Sequence, residues 1–105
     1  MNNVILVVKV KVKEEFAEEV YIFMKALHKL THELDEGCLQ YDLHKVLEEE
    51  NTFCFIETWK DESCLIAHSK KEHFVNFMEY TEGKIEDMQK TFLKKYEEKD
   101  NLTQN

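Results

Sequence analysis

The sequence contains no arginine: all 14 basic residues are lysine, against 22 acidic residues and a formal net charge of -8. Arginine supplies the bidentate fork with which proteins grip phosphate groups and guanine edges. An acidic chain without that fork is a poor match for a nucleic acid or an anionic membrane surface. We therefore expect neither nucleic acid nor membrane among its partners.

Long apolar runs and proline are also missing. Spanning a bilayer takes about 20 consecutive apolar residues, whereas the N-terminal apolar run covers only Val4 to Val8. That run is also too short for a signal-peptide core. With no proline and two glycines in 105 residues, no flexible linker divides the chain. We expect one cytoplasmic domain over residues 1–97 and a polar C-terminal tail over residues 98–105.

Neither the cysteines nor a histidine pair indicates a metal site. Cys38, Cys54 and Cys64 are an odd number without C-x-x-C or metal-knuckle spacing, and we interpret them as reduced structural thiols. His28 and His32 are four residues apart on a predicted helix, a spacing that a metal site can use. They lie away from the apolar stripe of that helix and have only surface acids as further ligands. We expect solvated histidines and no metal.

Three strands are predicted by the alternation of apolar residues, at about residues 3–12, 38–47 and 52–60. The first and third of them carry apolar side chains on both faces; in the first, Ile5 and Val7 extend the apolar surface to the second face. Strands of this kind are covered on both sides. We expect a helix on one face of the sheet and another sheet or chain on the other.

Helices are predicted where apolar residues recur at spacings of three and four. The longest covers about 20 residues from Glu14, and Gly37 then ends it as a cap or turn. Asp61 or Ser63 can cap a short helix, and a second short helix is expected over about 71–81. The chain therefore presents a β-α-β-β-α order before its last segment.

The last segment of the domain fits two structures. One set of apolar residues has helical spacing: Ile85, Met88, Phe92 and Tyr96. Alternatively, Phe92, Lys94 and Tyr96 alternate with their neighbours as a strand. Local reasoning favours the helix, but a fourth strand would complete the split β-α-β arrangement of an α+β, ferredoxin-like domain. We give the topology more weight and predict the strand.

Reactive side chains concentrate between Glu57 and Phe74. Glu57 and Trp59 end the third predicted strand, and His68 and His73 lie on the short helices that follow. A carboxyl group, an indole and two imidazoles could therefore converge beside a large aromatic surface. We expect any chemistry to take place there.

Four blocks of sequence resemble the antibiotic biosynthesis monooxygenase family: G-C-L-Q-Y-D-L from Gly37, F-C-F-I-E-T-W to Trp59, L-I-A-H to His68 and K-E-H-F to Phe74. The resemblance covers about residues 3–97. It implies a ferredoxin-like β-α-β-β-α-β protomer that forms a homodimer, in which the two sheets make a dimeric α/β barrel. It also implies a pocket between each sheet and its helices, and a fourth strand near residues 90–97.

Oxygenases of this family oxidise electron-rich phenols, quinols or anthrones with molecular oxygen, and they use neither metal nor flavin. The resemblance implies His68 or His73 as the base, with Glu57 orienting an imidazole or accepting the proton itself. It also implies a slot for a small aromatic or quinol-like substrate, lined by four rings: Tyr41, Phe55, Trp59 and Phe74.

Two alternative functions stay open. The stretch from Lys60 to Phe74 resembles, about as well, relatives that isomerise phosphorylated signalling sugars. The lack of arginine weakens phosphate recognition there, although Lys70 and Lys71 could serve as point charges. The other alternative is a noncatalytic, ligand-binding dimer of the same fold.

Overall fold

Four strands and three helices make up residues 2–97, the part of the chain that this computed structural model describes. In chain order they are β1 (Val4–Val12), a 3-10 turn (Glu14–Phe16), α1 (Ala17–Leu34), β2 (Cys38–Lys45), β3 (Thr52–Trp59), α2 (Glu62–Lys70), α3 (Glu72–Tyr80) and β4 (Ile85–Leu93). The predicted tail, 98–105, lies outside the described residues. No helix among the described residues has both the length and the apolar character needed to cross a membrane.

The sheet has the strand order β2-β3-β1-β4, and every neighbouring pair is antiparallel. This order confirms the predicted α+β, ferredoxin-like fold. β1 lies between β3 and β4, so that Leu6 is opposite Glu57 on one side and Phe92 on the other. Because side chains alternate between faces along a strand, these three share one face of the sheet.

The two faces of the sheet differ in burial. On the inner face of β1, four apolar side chains are 1 to 8% exposed and pack in one core with residues of α1 and α3: Leu6, Val8, Val10 and Val12. On the outer face, Ile5, Val7 and Ile56 are only half-buried within the described residues. The apolar second face inferred from the sequence is therefore present.

The fourth strand is confirmed, but the predicted bounds of 90–97 are wrong, since β4 runs from Ile85 to Leu93. β4 is an edge strand that pairs with β1 alone. Its inner-facing residues are Met88, Lys90 and Phe92, opposite apolar residues of β1. A lysine thus interrupts the apolar alternation on the inner face of β4. The segment is a strand because it hydrogen-bonds to β1.

A tight turn connects α1 to β2 and brings the end of α1 against α2. Gly37 adopts a φ of +73°, a conformation that side chains with a Cβ rarely adopt. A methyl group at this position would overlap the Sγ of Cys64 and lie 2.9 Å from its Cβ. The Gly37 carbonyl accepts a hydrogen bond from the Lys60 amide at 2.8 Å. This close approach places Asp35, at the end of α1, beside the histidines of α2 and α3.

Candidate active site

A cavity of about 220 Å³ lies between the inner face of the sheet and helices α1, α2 and α3. Its walls are mostly aliphatic and aromatic, with five polar side chains among them: Tyr41, Glu57, His68, Ser69 and Lys90. An apolar cavity of about 150 Å³ can hold benzene. This cavity therefore has room for one substituted aromatic ring.

The opening of the cavity lies between β4 and the two short helices. Lining residues on this side are substantially exposed: Ile66 is 47% exposed, Met78 is 38% exposed and Phe92 is 60% exposed. Lys90, also exposed, is the lysine at this opening. A ligand would thus pass an apolar rim that carries one positive charge.

His68 is the imidazole at the cavity wall, and a buried carboxylate orients it. Its Nδ1 donates a hydrogen bond to Oδ2 of Asp35, and both side chains are at most 3% exposed. A carboxylate acceptor requires the proton on Nδ1, so Nε2 carries the free lone pair in the neutral ring. The one side-chain hydrogen bond of His68 within the described residues is made by Nδ1, and none is made by Nε2. This nitrogen is available to a ligand in the cavity.

The Asp35 carboxylate also lies close to a second imidazole, although neither its Oδ1 nor Nε2 of His73 has a hydrogen-bond partner among the described residues. Nε2 of His73 lies 2.9 Å from Oδ1 of Asp35, and the His73 side chain is 7% exposed. The rings of His68 and His73 are 6.3 Å apart between centroids. His73 does not line the cavity. His73 therefore lies beside Asp35 and outside the cavity lining.

Burial lowers the pKa of His68 below its ordinary value, and the hydrogen bond and charge of Asp35 offset only part of this effect. The ring is therefore neutral at pH 7. A neutral imidazole with one free nitrogen can accept a proton, so His68 has the protonation state that a general base needs.

Glu57 is a buried carboxyl group on the cavity wall. It is 4% exposed, and its Oε1 accepts a hydrogen bond from the indole Nε1 of Trp59 at 2.9 Å. Burial raises the pKa of Glu57 to about 7, although the Trp59 hydrogen bond and the charge of Lys90 oppose the shift. Both protonation states are populated near neutral pH, so Glu57 can either donate or accept a proton.

Five of the seven side chains proposed from the sequence line this cavity: Tyr41, Phe55, Glu57, His68 and Phe74. Trp59, by contrast, is fully buried and is not among the lining residues. Its ring packs on His68, with 4.7 Å between centroids, while its N–H holds Glu57. Trp59 thus lies behind the wall and contacts two polar groups that face the cavity, whereas His73 contacts Asp35, which holds His68.

Sequence reasoning missed two polar residues of the site, Asp35 and Lys90. Asp35 caps the C-terminal end of α1, where the helix dipole disfavours an acid. An acid in that position signals a specific partner, and this signal was available in the sequence. The position of Lys90 at the cavity depends on the register of β4 against β1, which the sequence does not determine.

Comparison with known proteins decides the family. The family model described as "Antibiotic biosynthesis monooxygenase" matches residues 3–80. The chain belongs to the antibiotic biosynthesis monooxygenase family. The resemblance noted in four sequence blocks is thereby confirmed.

Individual relatives agree with the family assignment. The Bacillus subtilis (strain 168) protein named "Putative monooxygenase YcnE" is 38% identical over 75 residues, which cover 71% of this chain and 78% of the relative. The crystal structure of PA3566 from Pseudomonas aeruginosa has a TM-score of 0.86 and 27% identity, covering 92% of this chain and 97% of that one. A family structure from Bacteroides thetaiotaomicron has the same TM-score of 0.86 at 19% identity, over 96% of each chain, and shows the shared fold alone.

Proposed function

We propose that this chain is a monooxygenase that oxidises an electron-rich phenol or quinol-like small molecule with molecular oxygen, without metal or flavin. One observation carries the proposal. An apolar cavity contains a neutral imidazole, His68, whose Nδ1 is held by Asp35 and whose Nε2 is free. The family membership and the name of the Bacillus subtilis relative support the same class of reaction.

The substrate itself supplies the electrons in this reaction. Oxygen reacts slowly with neutral closed-shell molecules, but a phenolate is a much stronger electron donor than its phenol. His68 would take the phenolic proton. One atom of O2 then becomes the new carbonyl oxygen of a quinone. The other leaves as water with the phenolic proton and the hydrogen displaced from the ring carbon, and all four electrons that reduce O2 come from the substrate.

The polar groups around His68 suit the charges that form. A carboxyl group with a pKa of about 7, such as Glu57, can return a proton to reduced oxygen near neutral pH. The Lys90 ammonium at the opening would stabilise a phenolate or a reduced oxygen species. Tyr41, Phe55 and Phe74 would contact the ring of the substrate and keep water from it.

A second copy of the chain would complete the enzyme. The outer face of the sheet carries half-buried apolar side chains, Ile5, Val7 and Ile56, that another sheet can cover. Size-exclusion chromatography with light scattering should give a dimer for the wild type and a monomer for Val7→Asp. A monomeric wild type would contradict this part of the proposal.

The sugar-phosphate isomerase alternative finds less support in the cavity. Lys70 and Lys71 do not line it, and Lys90 is its one lysine among the described residues. Glu57 lies on the same wall and would repel a phosphate when ionised. We therefore keep the oxidative function as the proposal and treat the isomerase as an outcome of the test.

Oxygen consumption tests the proposal. A panel of hydroquinones, phenols and an anthrone is supplied to the protein in chelator-treated buffer, and uptake is recorded for the wild type and for His68→Asn. The side-chain amide nitrogen of the introduced asparagine can still donate to Asp35, so the variant should fold. We expect uptake to fall by about 10²- to 10⁴-fold, the usual contribution of a general base.

The matched control is His44→Asn, because His44 is exposed on β2 and does not line the cavity. It should consume oxygen at the wild-type rate. Equal rates for His68→Asn and the wild type would exclude His68 as the base. Tight binding of a panel member without any turnover would instead favour the noncatalytic dimer, and anaerobic turnover of a phosphosugar would favour the isomerase.

A further inference from the structure

We propose that His28, His32 and Asp42 form a binding site for a divalent transition-metal ion of the zinc class, separate from the cavity. One nitrogen of each imidazole and one carboxylate oxygen lie within 4.8 Å of one another. The histidines are four residues apart on α1, with ring centroids 4.5 Å apart, and Asp42 comes from β2. The sequence showed the histidine pair, but only the packing of α1 on β2 supplies the third ligand.

The spacing suits a tetrahedral ion after a small adjustment. Zinc binds imidazole nitrogen at about 2.0–2.1 Å and carboxylate oxygen at about 2.0–2.2 Å, so its ligand atoms are about 3.3 Å apart. Ligand atoms that lie within 4.8 Å of one another would need only small side-chain movements to reach this distance. Three protein ligands would leave the fourth position to water.

The main chain of β2 fixes the tautomer of His32. Its Nε2 lies 2.7 Å from the main-chain carbonyl oxygen of Tyr41. A carbonyl can only accept, so Nε2 carries the proton and Nδ1 is left with a free lone pair. Metal-binding histidines commonly donate their other N–H to a carbonyl or carboxylate in this way, which fixes the tautomer and the ring orientation.

Asp42 is held by a chain of hydrogen bonds across β2 and β3. The side-chain amide of Gln40 donates to Oδ2 of Asp42 at 3.0 Å, and the Thr58 hydroxyl donates to the Gln40 amide oxygen at 2.8 Å. This chain leaves Oδ1 of Asp42 for an ion. Two of the three ligands are thus positioned by neighbours before any ion binds, which lowers the entropy cost of binding.

The local electrostatics also suit a cation. The Asp42 carboxylate lies in one cluster with the two imidazoles, so it would place a negative charge beside a bound cation. The net charge of -8 attracts cations to the molecule as a whole.

The other carboxylate–histidine cluster is a weaker candidate for an ion. Asp35, His68 and His73 also lie within 4.8 Å of one another. There, however, the Asp35 carboxylate already contacts both imidazoles, and its side chain is 1% exposed. An ion would have to displace the contacts that hold His68 at the cavity.

Zinc titration by calorimetry on protein first treated with EDTA tests the site. We expect one zinc ion per chain for the wild type, and an affinity at least tenfold weaker for His28→Gln and for Asp42→Asn. His44→Gln is the matched control, because His44 lies on β2 two residues beyond Asp42 but outside the cluster. It should bind zinc like the wild type. Cobalt(II) gives a second readout, a visible absorption band that changes in Asp42→Asn.

Three results would overturn the proposed site. Loss of zinc binding in His68→Asn, with retention in His28→Gln, would show that the ion binds at Asp35, His68 and His73 instead. Equal weakening in His28→Gln and His44→Gln would indicate nonspecific surface binding, and no heat of binding at millimolar zinc would remove the site. Circular dichroism of each metal-free variant shows whether it is folded, and His32→Gln replaces any variant that is not.

Discussion

Replacing Glu57 by glutamine should make the protein more stable above neutral pH. The pKa of Glu57 is about 7 in the folded protein, against an ordinary value of 4.5. Between these two values the folded state holds a proton that the unfolded state has already lost. The free energy of unfolding therefore falls as the pH rises through this window, and the loss is complete above about pH 7.

The size of the effect follows from the shift. One pKa unit corresponds to about 1.4 kcal/mol, so the folded wild type should lose about 3 kcal/mol between pH 4.5 and pH 8 through this group. Glutamine does not titrate, and its amide oxygen can still accept the hydrogen bond from Trp59. We expect Glu57→Gln to match the wild type at pH 4.5 and to exceed its unfolding free energy by up to about 3 kcal/mol at pH 8.

Urea unfolding followed by tryptophan fluorescence measures this difference, since Trp59 is the single tryptophan and is fully buried. Subtracting the wild-type curve at each pH removes the titration of all other groups. Protein concentration is kept constant because association changes apparent stability. Exposed Glu48→Gln controls for the loss of one acidic side chain.

Two results would refute this reasoning. A difference between Glu57→Gln and the wild type that does not change from pH 4.5 to pH 8 would show that burial does not raise the pKa of Glu57. A variant less stable than the wild type at pH 8 would show that Glu57 is ionised and paired in the folded protein, with Lys90 as the cation on the same wall.

Two further predictions concern the turn after α1. Asp35→Asn should lower kcat/KM by about 10²- to 10⁴-fold. It should also move the acid limb of the pH–rate profile to lower pH, because Asp35 raises the pKa of His68 against the effect of burial. An unchanged profile would show that Asp35 does not position His68. Gly37→Ala should lower the free energy of unfolding in urea by more than Gly83→Ala does. Both substitutions carry a backbone strain of about 1–2 kcal/mol, but at Gly83 nothing lies within 4 Å of the added methyl group. Equal losses of unfolding free energy would contradict the close packing seen at Gly37.

Periodicity predicted most of the fold because each long element has one consistent pattern. The stripe of α1 comes from one buried face, and in β1 and β3 the fully buried residues of the inner face alternate with mostly half-buried residues of the outer face. β4 is different, since Lys90 stands between Met88 and Phe92 on its inner face. Its local sequence favours a helix, and the strand was indicated by completion of the split β-α-β arrangement and by the family resemblance.

The candidate site was predicted in its parts but not in its arrangement. His68 and Glu57 were found because no other segment of the sequence combines reactive side chains with so much aromatic surface. Which imidazole faces the cavity depends on how α2 and α3 pack against Asp35, a contact between residues more than 30 positions apart. Spacing along the chain carries no information about such a contact.

A crystal structure with hydroquinone, grown without oxygen, decides whether His68 is the base. We predict that the ring occupies the cavity beside Phe55 and Phe74, with a phenolic oxygen about 2.6–3.2 Å from Nε2 of His68, the distance a general base requires. A hydroquinone bound outside the cavity, or one inside it whose oxygens do not contact Nε2 of His68, would contradict the role of His68 as the base.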